Sequence, residues 1–346
     1  MTDAIMQETI EKMTAPGKGI LAADESSPTI AKRFQSIDVE STEDKRCEYR
    51  ELLFTTQGIE KFIHGVILFE ETLSQSASNG KRFPDILQEL GIVPGIKVDK
   101  GLAPLANSPN EKVTQGLDGL SERLAIYKDQ GAQFAKWRAV YTINNTLPSS
   151  LAIQVNAECL ARYAAICQEQ GFVPIVEPEV LMAGTHDIAR SEEVHKAVIH
   201  EVFQALHHHK VKLEYIILKP SMVISGSDNR IKASTEEVAE ATIRVLRQTV
   251  PAAVPTINFL SGGQSDIEAT AHLNAMNALG ANNPWLLSFS YGRALQAPAL
   301  QAWSGKAENK EVAQQALYKR AVLNAAASKG KYVAEMETEE YVVGVM

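Results

Sequence analysis

The segment Tyr215–Pro220 contains a lysine whose position suits carbonyl chemistry. It reads Tyr-Ile-Ile-Leu-Lys-Pro, a short apolar run whose length and final proline predict a buried strand rather than a helix. Alternate strand residues share a face, so Lys219 points the same way as Tyr215 and Ile217 but at the end of the strand. Partial burial there favours the neutral amine, which attacks a carbonyl carbon to form a Schiff base. The alternative is a strand-end lysine that simply reaches solvent.

Seven further apolar runs of strand-forming residues also end in polar or charged side chains. They cover residues 19–24, 65–70, 95–101, 134–140, 173–179, 256–263 and 286–293. Their ends carry Asp24, Glu70, Lys97 with Asp99, Lys136 with Arg138, Glu177 with Glu179, Ser261, and Arg293. The three pairs are two residues apart, so each pair projects to one side of its strand.

The elements that must position these side chains alternate between strand and helix. Helix-like segments separate the runs, the clearest being residues 150–168 and a segment from Ser234 to 248 that opens with a Ser234–Glu237 capping box. Eight such units predict an α/β protein, a single (β/α)8 TIM barrel. We expect one domain over residues 1–346, with a mobile tail from about residue 331.

In such a barrel the carboxyl ends of the strands carry the active site, so the charged ends should ring one mouth. A structural salt-bridge network remains the alternative for any single pair. The cationic members stand out in a chain of net charge −8, which indicates an anionic substrate.

Two glycine-containing turns suit a phosphate group. Ser261-Gly262-Gly263 and Tyr291-Gly292-Arg293 follow the seventh and eighth runs, where barrels commonly hold phosphate on backbone N–H groups. Ser26 and Arg33, which follow the first run, could meet a second phosphate or could be merely solvated.

The carboxylates supply the proton transfers that an imine mechanism needs. Glu177 or Glu179 could serve carbinolamine formation and dehydration, and Asp24 could take a hydroxyl proton as a neighbouring bond breaks. A metal site is not expected, because the His207-His208-His209 run lies in a helix-like stretch where consecutive side chains diverge.

Composition excludes several other classes of protein. The 346 residues are 45% hydrophobic and 22% charged, typical of a soluble globular protein, and the acidic balance argues against nucleic-acid and membrane-surface binding. Three cysteines without a CxxC pair fit a reducing compartment. The first 13 residues do not resemble a signal peptide, and no apolar run is long enough to span a membrane. We therefore expect a cytoplasmic protein.

Eight motifs together resemble class I fructose-bisphosphate aldolase. They are GKGILAADES (17–26), GIKVDKG (95–101), TQGLDGLSER (114–123), FAKWR (134–138), VPIVEPE (173–179), LKP (218–220), FLSGGQS (259–265) and FSYGRALQ (289–296). They occur in the family's order, and the resemblance covers about residues 14–331.

The resemblance implies reversible cleavage of fructose 1,6-bisphosphate to dihydroxyacetone phosphate and glyceraldehyde 3-phosphate, in glycolysis and gluconeogenesis, without metal or cofactor. It implies Lys219 as the Schiff-base lysine, Asp24 as the base at the C4 hydroxyl and Glu177 as the acid/base of the imine steps. Lys136 and Glu179 would support these proton transfers. The implied phosphate and substrate contacts are Ser261, Gly262, Gly292 and Arg293 on the C1 side, Ser26, Arg33 and Lys97 toward the other phosphate, and also Thr29, Arg138 and Ser290.

The sequence departs from the family's pattern at two places. Thr29 stands where many members have serine, which keeps the hydroxyl. Many members end in a catalytic tyrosine, whereas this chain ends in Met346, so Tyr341 is a candidate for that role. The family is usually tetrameric, so we expect a homo-oligomer, most simply a tetramer.

Two other functions are compatible with parts of the pattern. A phosphosugar isomerase would need an acid/base pair and a phosphate site but no special lysine. A non-catalytic binding protein would bind phosphosugars or partners without turnover. The preference between bisphosphate and monophosphate sugars is left open.

Overall fold

The computed structural model describes residues 2–280 and 282–343, and eight of its strands close into a parallel barrel. The strands are β1 Gly19–Ala23, β2 Ile63–Leu68, β3 Val93–Lys97, β4 Leu102–Pro104, β5 Lys112–Thr114, β6 Phe134–Tyr141, β7 Val173–Val180, β8 Ile217–Leu218, β9 Thr256–Phe259 and β10 Leu286–Tyr291. The barrel order is β1-β10-β9-β8-β7-β6-β3-β2, which confirms the predicted (β/α)8 architecture. The antiparallel hairpin β4–β5, between β3 and β6, was not predicted.

Helices cover the outside of the barrel. They are α1 Thr2–Met13, α2 Ser27–Gln35, α3 Glu43–Phe54, α4 Glu70–Ser74, α5 Phe83–Glu89, α6 Leu120–Asp129, α7 Ser150–Glu169, α8 Ile188–His208, α9 Thr235–Thr249, α10 Asp266–Ala278, α11 Arg293–Trp303 and α12 Lys310–Ala327. Because both faces of the sheet are covered, β1 and β7 are buried along their whole length. This explains why the strands read as continuous apolar runs.

The amino-terminal end of the barrel is a closed apolar core. Met6, Ile10 and Met13 of α1 belong to one buried cluster with Ile20 and Phe134, whose side chains fill the barrel. Phe134 needs a glycine opposite it, since its ring atoms lie 2.2 Å from the point where a Cβ on Gly95 would be. The lower barrel is therefore packed, and the carboxyl ends of the strands are left for chemistry.

The sixth predicted run is shorter as a strand than expected. Residues Leu213–Tyr215 form a 3₁₀ turn and β8 contains only Ile217 and Leu218. Tyr215 still packs against the same apolar cluster as Ile217, as the predicted alternation requires. The backbone N–H of Lys219 donates to the Val176 carbonyl at 2.8 Å, so the chain remains extended up to the lysine.

The described part of the carboxyl-terminal segment packs on the barrel helices. Residues Ala334–Thr338 form a 3₁₀ turn, and the carboxylate of Glu337 accepts two bonds from the buried Arg320 guanidinium of α12 at 2.7 and 2.8 Å. The expected single domain and mobile tail stay predictions. No helix within residues 2–280 and 282–343 combines the length and the apolarity that crossing a bilayer requires.

Candidate active site

A cavity of about 880 Å³ opens at the carboxyl ends of the barrel strands. Its size is in the range of small-molecule sites. Almost every candidate site residue from the sequence lines it: Asp24, Ser26, Thr29, Arg33, Lys97, Lys136, Arg138, Glu177, Glu179, Lys219, Ser261, Gly262, Ser290, Gly292 and Arg293. The fold thus brings together groups that are up to 269 positions apart in the sequence (24 to 293).

Four buried charges form a continuous chain at the bottom of the cavity. Lys136 Nζ lies 2.7 Å from Asp24 Oδ2 and 3.3 Å from Glu177 Oε2. The other Glu177 oxygen, Oε1, lies 3.4 Å from Lys219 Nζ. Acids and bases therefore alternate from β1 through β6 and β7 to the end of β8, as the charged strand ends predicted.

The shared register of β6 and β7 explains this alignment. Arg138 is opposite Glu177, and Val140 is opposite Glu179, so side chains at alternate positions of both strands face the same interior. The register of β6 and β7 thus brings Lys136 close to Glu177.

The environment shifts the pKa values of Lys219, Asp24 and Lys136. Burial lowers the pKa of Lys219. The Glu177 carboxylate acts to raise this pKa, and the charge of Lys136 lowers it further. Burial acts to raise the pKa of Asp24, but the charges of Lys136 and Lys219 outweigh it and hold the pKa well below its usual range.

Lys136 shows the opposite balance. Burial acts to lower its pKa, but the carboxylates of Asp24 and Glu177 outweigh burial and raise the pKa above its usual value. The site therefore holds a lysine biased toward the neutral amine, a second lysine kept cationic, and an ionised aspartate.

Two further cations on the cavity wall are held by carboxylates. Arg138 pairs through Nε with Glu179, and the Lys97 ammonium donates to the Asp99 carboxylate at 2.7 Å and to the Asp99 carbonyl at 2.9 Å. Burial acts to lower the pKa of Arg138, but Glu179 raises it above its usual value, so this charge is permanent. Both cations are thus fixed in place before any ligand arrives.

The Ser261–Gly263 turn and the start of α11 form a cradle suited to an anion. Gly262 and Gly263 have φ of 54° and 99°, the left-handed region that favours glycine. A Cβ on Gly263 would lie 3.7 Å from Arg293 Nη2, so the turn lies against this guanidinium. Ser290 Oγ is buried and has no hydrogen-bond partner among the described residues. A phosphate could satisfy this hydroxyl and the backbone N–H groups at the helix start.

Glu25 is a functional candidate that the sequence interpretation missed. Its buried carboxylate pairs with Arg33 on the cavity wall, accepts from Arg50 Nη1 at 2.6 Å and accepts from Gln296 Nε2 at 2.9 Å. These bonds hold Arg33 beside Gly292, with Arg33 Nη2 3.6 Å from the point where a Cβ on Gly292 would lie. The sequence did contain a signal for this role, because Glu25 directly follows Asp24 and precedes Arg33 by eight residues.

Two residues that the sequence pointed to lie elsewhere. Glu70 was predicted at the mouth, but it begins α4 and accepts from Lys100 Nζ at 2.9 Å and from Tyr127 Oη at 2.8 Å, outside the residues that line the cavity. That prediction was wrong because β2 ends two residues earlier than expected. The Tyr341 hydroxyl donates to Glu339 Oε2 at 2.9 Å and does not line the cavity either.

Residues 2–280 and 282–343 contain no group of three or more His, Cys, Asp or Glu side chains that could hold a metal ion. His207 and His208 lie at the end of α8 with ring centroids 6.4 Å apart and planes inclined by 52°.

Known proteins match this sequence over nearly its whole length. The model of the family "Fructose-bisphosphate aldolase class-I" matches residues 5–343. The chain is 56% identical over 329 residues to fructose-bisphosphate aldolase B of Bos taurus, covering 95% of this chain and 90% of that protein. It is 54% identical over 328 residues to the probable fructose-bisphosphate aldolase class 1 of Xanthomonas campestris pv. campestris, covering 94% and 98%.

A plant relative and a solved structure extend the similarity. Cytosolic fructose-bisphosphate aldolase 4 of Arabidopsis thaliana is 54% identical over 325 residues, covering 94% of this chain and 83% of that protein. The fructose-bisphosphate aldolase of Plasmodium falciparum, solved with TRAP and a small-molecule inhibitor, superposes with a TM-score of 0.94 at 49% identity, covering 96% of each chain.

Proposed function

The chain belongs to the class I fructose-bisphosphate aldolase family, and from this premise we propose that it cleaves fructose 1,6-bisphosphate through an imine on Lys219. It is an aldolase, a carbon–carbon lyase, and its substrate is a phosphosugar. The observation that supports the imine is the chain of charges in which Glu177 lies between a lysine biased toward neutrality and a lysine held cationic.

The first half of the reaction forms the imine. The neutral amine of Lys219 attacks the C2 carbonyl carbon, and the carbonyl oxygen takes up a proton to give a carbinolamine. Loss of water then leaves a protonated imine. The Glu177 carboxyl contacts both lysines, so it can pass the required protons without moving far.

The second half breaks the C3–C4 bond. Asp24 takes the proton of the C4 hydroxyl, the bonding electrons move toward the iminium nitrogen, and glyceraldehyde 3-phosphate leaves as the aldehyde. Protonation of the enamine at C3 and hydrolysis of the imine release dihydroxyacetone phosphate. Asp24 is suited to this step because its low pKa keeps it ionised and Lys136 stabilises that charge.

The substrate contacts are proposed from the cavity wall. The cradle of Ser261, Gly262, Ser290, Gly292 and Arg293 would hold the C1 phosphate. Ser26, Thr29, Arg33, Lys97 and Arg138 would contact the rest of the chain and the other phosphate, with Glu179 holding Arg138. Ser26 Oγ and Thr29 Oγ1 lie 3.1 Å apart, so threonine at residue 29 keeps a paired hydroxyl.

Borohydride trapping tests the proposal directly. Protein mixed with dihydroxyacetone phosphate and reduced with sodium borohydride should gain one triose-phosphate adduct, which peptide mapping should locate on Lys219, equally well with EDTA present. Lys219→Met should lose the adduct and turnover. The matched control is Lys100→Met, an exposed lysine paired with Glu70 away from the cavity. Turnover that persists in Lys219→Met would instead favour an isomerase, and binding without turnover in the unaltered protein would favour a binding role.

The role of Tyr341 in protonating the enamine remains part of the proposal. Burial and the Glu339 carboxylate raise the pKa of Tyr341 to about 12, so the hydroxyl keeps its proton at neutral pH. To act, it would have to leave its bond to Glu339 and reach the cavity. We expect Tyr341→Phe to slow enamine protonation, measured as exchange of the C3 proton of dihydroxyacetone phosphate with solvent. Unchanged exchange and turnover would assign the step to another group.

We also propose that residues 1–346 act as one domain, with a tail that moves during turnover. Four copies would assemble into a tetramer in the cytoplasm. The enzyme would serve glycolysis and gluconeogenesis. The Arabidopsis thaliana relative, which is cytosolic by name, supports the compartment. Sedimentation velocity should give a mass of about four times 37.8 kDa.

A further inference from the structure

The main-chain pairing between β7 and β8 stops just where the catalytic side chains begin. The register pairs Val176 with Leu218, and the next contact is the bond from Lys219 N–H to the Val176 carbonyl at 2.8 Å. Beyond it, Pro178 and Pro220 have no N–H group and cannot donate to a neighbouring strand. The ladder therefore ends at Lys219 and does not join β7 to the residues that directly follow the lysine.

Beyond Lys219, a side-chain hydrogen bond joins the two segments. Ser221, two residues after Lys219, is buried, and its Oγ accepts the N–H of Val180 at 3.0 Å. Val180 is the last residue of β7 and directly follows Glu179. This bond therefore joins the end of the strand that carries the carboxylates to the segment that carries Lys219.

A buried histidine of α8 fixes the direction of that bond. His195 Nδ1 lies 2.7 Å from the Ser191 carbonyl, which can only accept, so Nδ1 carries the proton. Its Nε2 is then an acceptor, and Ser221 Oγ donates to it at 2.9 Å. The serine proton is thereby directed toward His195, and a lone pair of Oγ is left for Val180 N–H. Burial lowers the pKa of His195 to about 4, which keeps the ring neutral as this arrangement requires.

We propose that Ser221 and His195 are positioning residues that hold Lys219 against Glu177 by replacing the missing ladder bonds between β7 and β8. The inference rests on the proposed imine chemistry and assigns neither residue a contact with substrate. It predicts that breaking the Val180–Ser221–His195 chain slows imine formation while substrate affinity, which depends on the phosphate cradle, changes little.

Variants of these two residues separate the proposal from a loss of stability. Ser221→Ala removes the acceptor for Val180 N–H. His195→Asn can keep a bond to the Ser191 carbonyl but is too short to reach Ser221, whereas His195→Gln can place an acceptor near the position of Nε2. We expect Ser221→Ala and His195→Asn to reduce kcat and the borohydride-trapping rate on Lys219 by about 10- to 100-fold, with KM within about threefold. His195→Gln should recover most of the trapping rate.

Thr242→Val is the matched control. Thr242 Oγ1 of α9 accepts the backbone N–H of Val223 at 3.0 Å, so it makes the same kind of buried bond to the same segment without joining it to β7. It should lower the denaturation midpoint and leave the trapping rate close to that of the unaltered protein. A trapping rate in Thr242→Val as low as in Ser221→Ala would overturn the proposal.

Equal trapping rates on Lys219 in His195→Asn and His195→Gln would also overturn the proposal. If Ser221→Ala does not fold, the comparison of these two variants is the test. The unaltered protein is trapped in parallel. If it gives no adduct on Lys219, the proposed function fails, whereas a normal adduct with unchanged rates in the variants contradicts only the positioning role.

Discussion

At the scale of single residues, Lys136 determines the state of its neighbours. It is the cation nearest to both Asp24 and Glu177, at 2.7 and 3.3 Å, and all three side chains are buried. Without it, burial would act on the Asp24 carboxylate with less opposition, and the pKa of Asp24 would rise. The ionised state of Asp24 therefore depends on a residue three strands away in the barrel.

Lys136→Met should lower kcat at neutral pH on the order of 100-fold and move the acidic limb of the kcat profile to higher pH. The sign follows from Asp24, whose carboxylate would then need a higher pH to ionise. Turnover measured between pH 5 and 9 checks both effects, with Lys100→Met as a control for the loss of an exposed lysine. A profile that keeps its acidic limb unchanged would mean that Lys136 does not set the ionisation of Asp24.

Glu25 gives a second prediction at this scale. Its carboxylate pairs with the buried Arg50 and holds Arg33 on the cavity wall. Glu25→Gln leaves a buried guanidinium without its counter-charge, so we expect a loss of about 3 kcal/mol in the free energy of unfolding. KM should also rise several-fold because Arg33 is no longer held.

Urea denaturation and steady-state kinetics measure the two effects. Glu71→Gln, which breaks the partly exposed pair with Arg46, should cost less stability and leave KM unchanged. Equal losses in the two variants would show that burial of the Glu25 network adds nothing.

At the scale of elements, two helices begin with the same capping box but differ in what precedes them. Ser234 with Glu237 caps α9, and Ser265 with Glu268 caps α10, with both reciprocal bonds present in each. Only the α10 cap directly follows the Ser261–Gly263 turn, where Gln264 Nε2 donates to the Ser261 carbonyl at 2.9 Å. The cap of α10 therefore anchors the proposed phosphate cradle.

Ser234→Ala and Ser265→Ala should each lower the free energy of unfolding by about 1 kcal/mol. Only Ser265→Ala should raise KM, because the turn before α10 loses its anchor and its backbone N–H groups lose their alignment. Denaturation curves and KM for the bisphosphate, recorded on both variants, compare the caps directly. If the two variants give the same KM, the cradle does not depend on its helix.

At the scale of the whole molecule, two buried histidines couple folding to pH. Burial lowers the pKa of His64 to about 3 and that of His195 to about 4, from an ordinary value of 6.5. Between pH 6.5 and 4 the unfolded chain binds protons at these residues and the folded protein does not, so stability falls on acidification. Asp24 and Glu25 have lowered pKa values, so their contribution is lost only at lower pH.

We expect each of these histidines to cost about 2 kcal/mol of stability at pH 5 relative to neutral pH. His64→Gln should reduce the difference between denaturation curves at pH 7.5 and pH 5 by about that amount. His207→Gln, at an exposed position of α8, should leave the difference unchanged. An unaltered pH dependence in His64→Gln would show that this histidine is protonated in the folded protein.

The barrel and most of the cavity wall could be predicted from the order of the residues alone. Strands buried on both faces must be continuous apolar runs, and charged residues such as Lys219, Glu177 and Asp24 are tolerated only where those runs end. Because parallel strands in a barrel end at one mouth, the predicted groups had to meet there. Local patterns such as the Ser234 cap could also be predicted, because they depend only on neighbours in sequence.

The contacts between segments distant in sequence could not be predicted and are known only from the folded structure. Glu70 and Glu25 are similar acids near strand ends, yet the early end of β2 turns Glu70 outward and the packing of α3 buries Glu25 against Arg50. The bond between Ser221 and His195 joins segments 26 residues apart, and no periodic pattern in the sequence predicts it. Such contacts depend on how helices and loops pack after the barrel closes, and that packing is a property of the whole chain rather than of any segment.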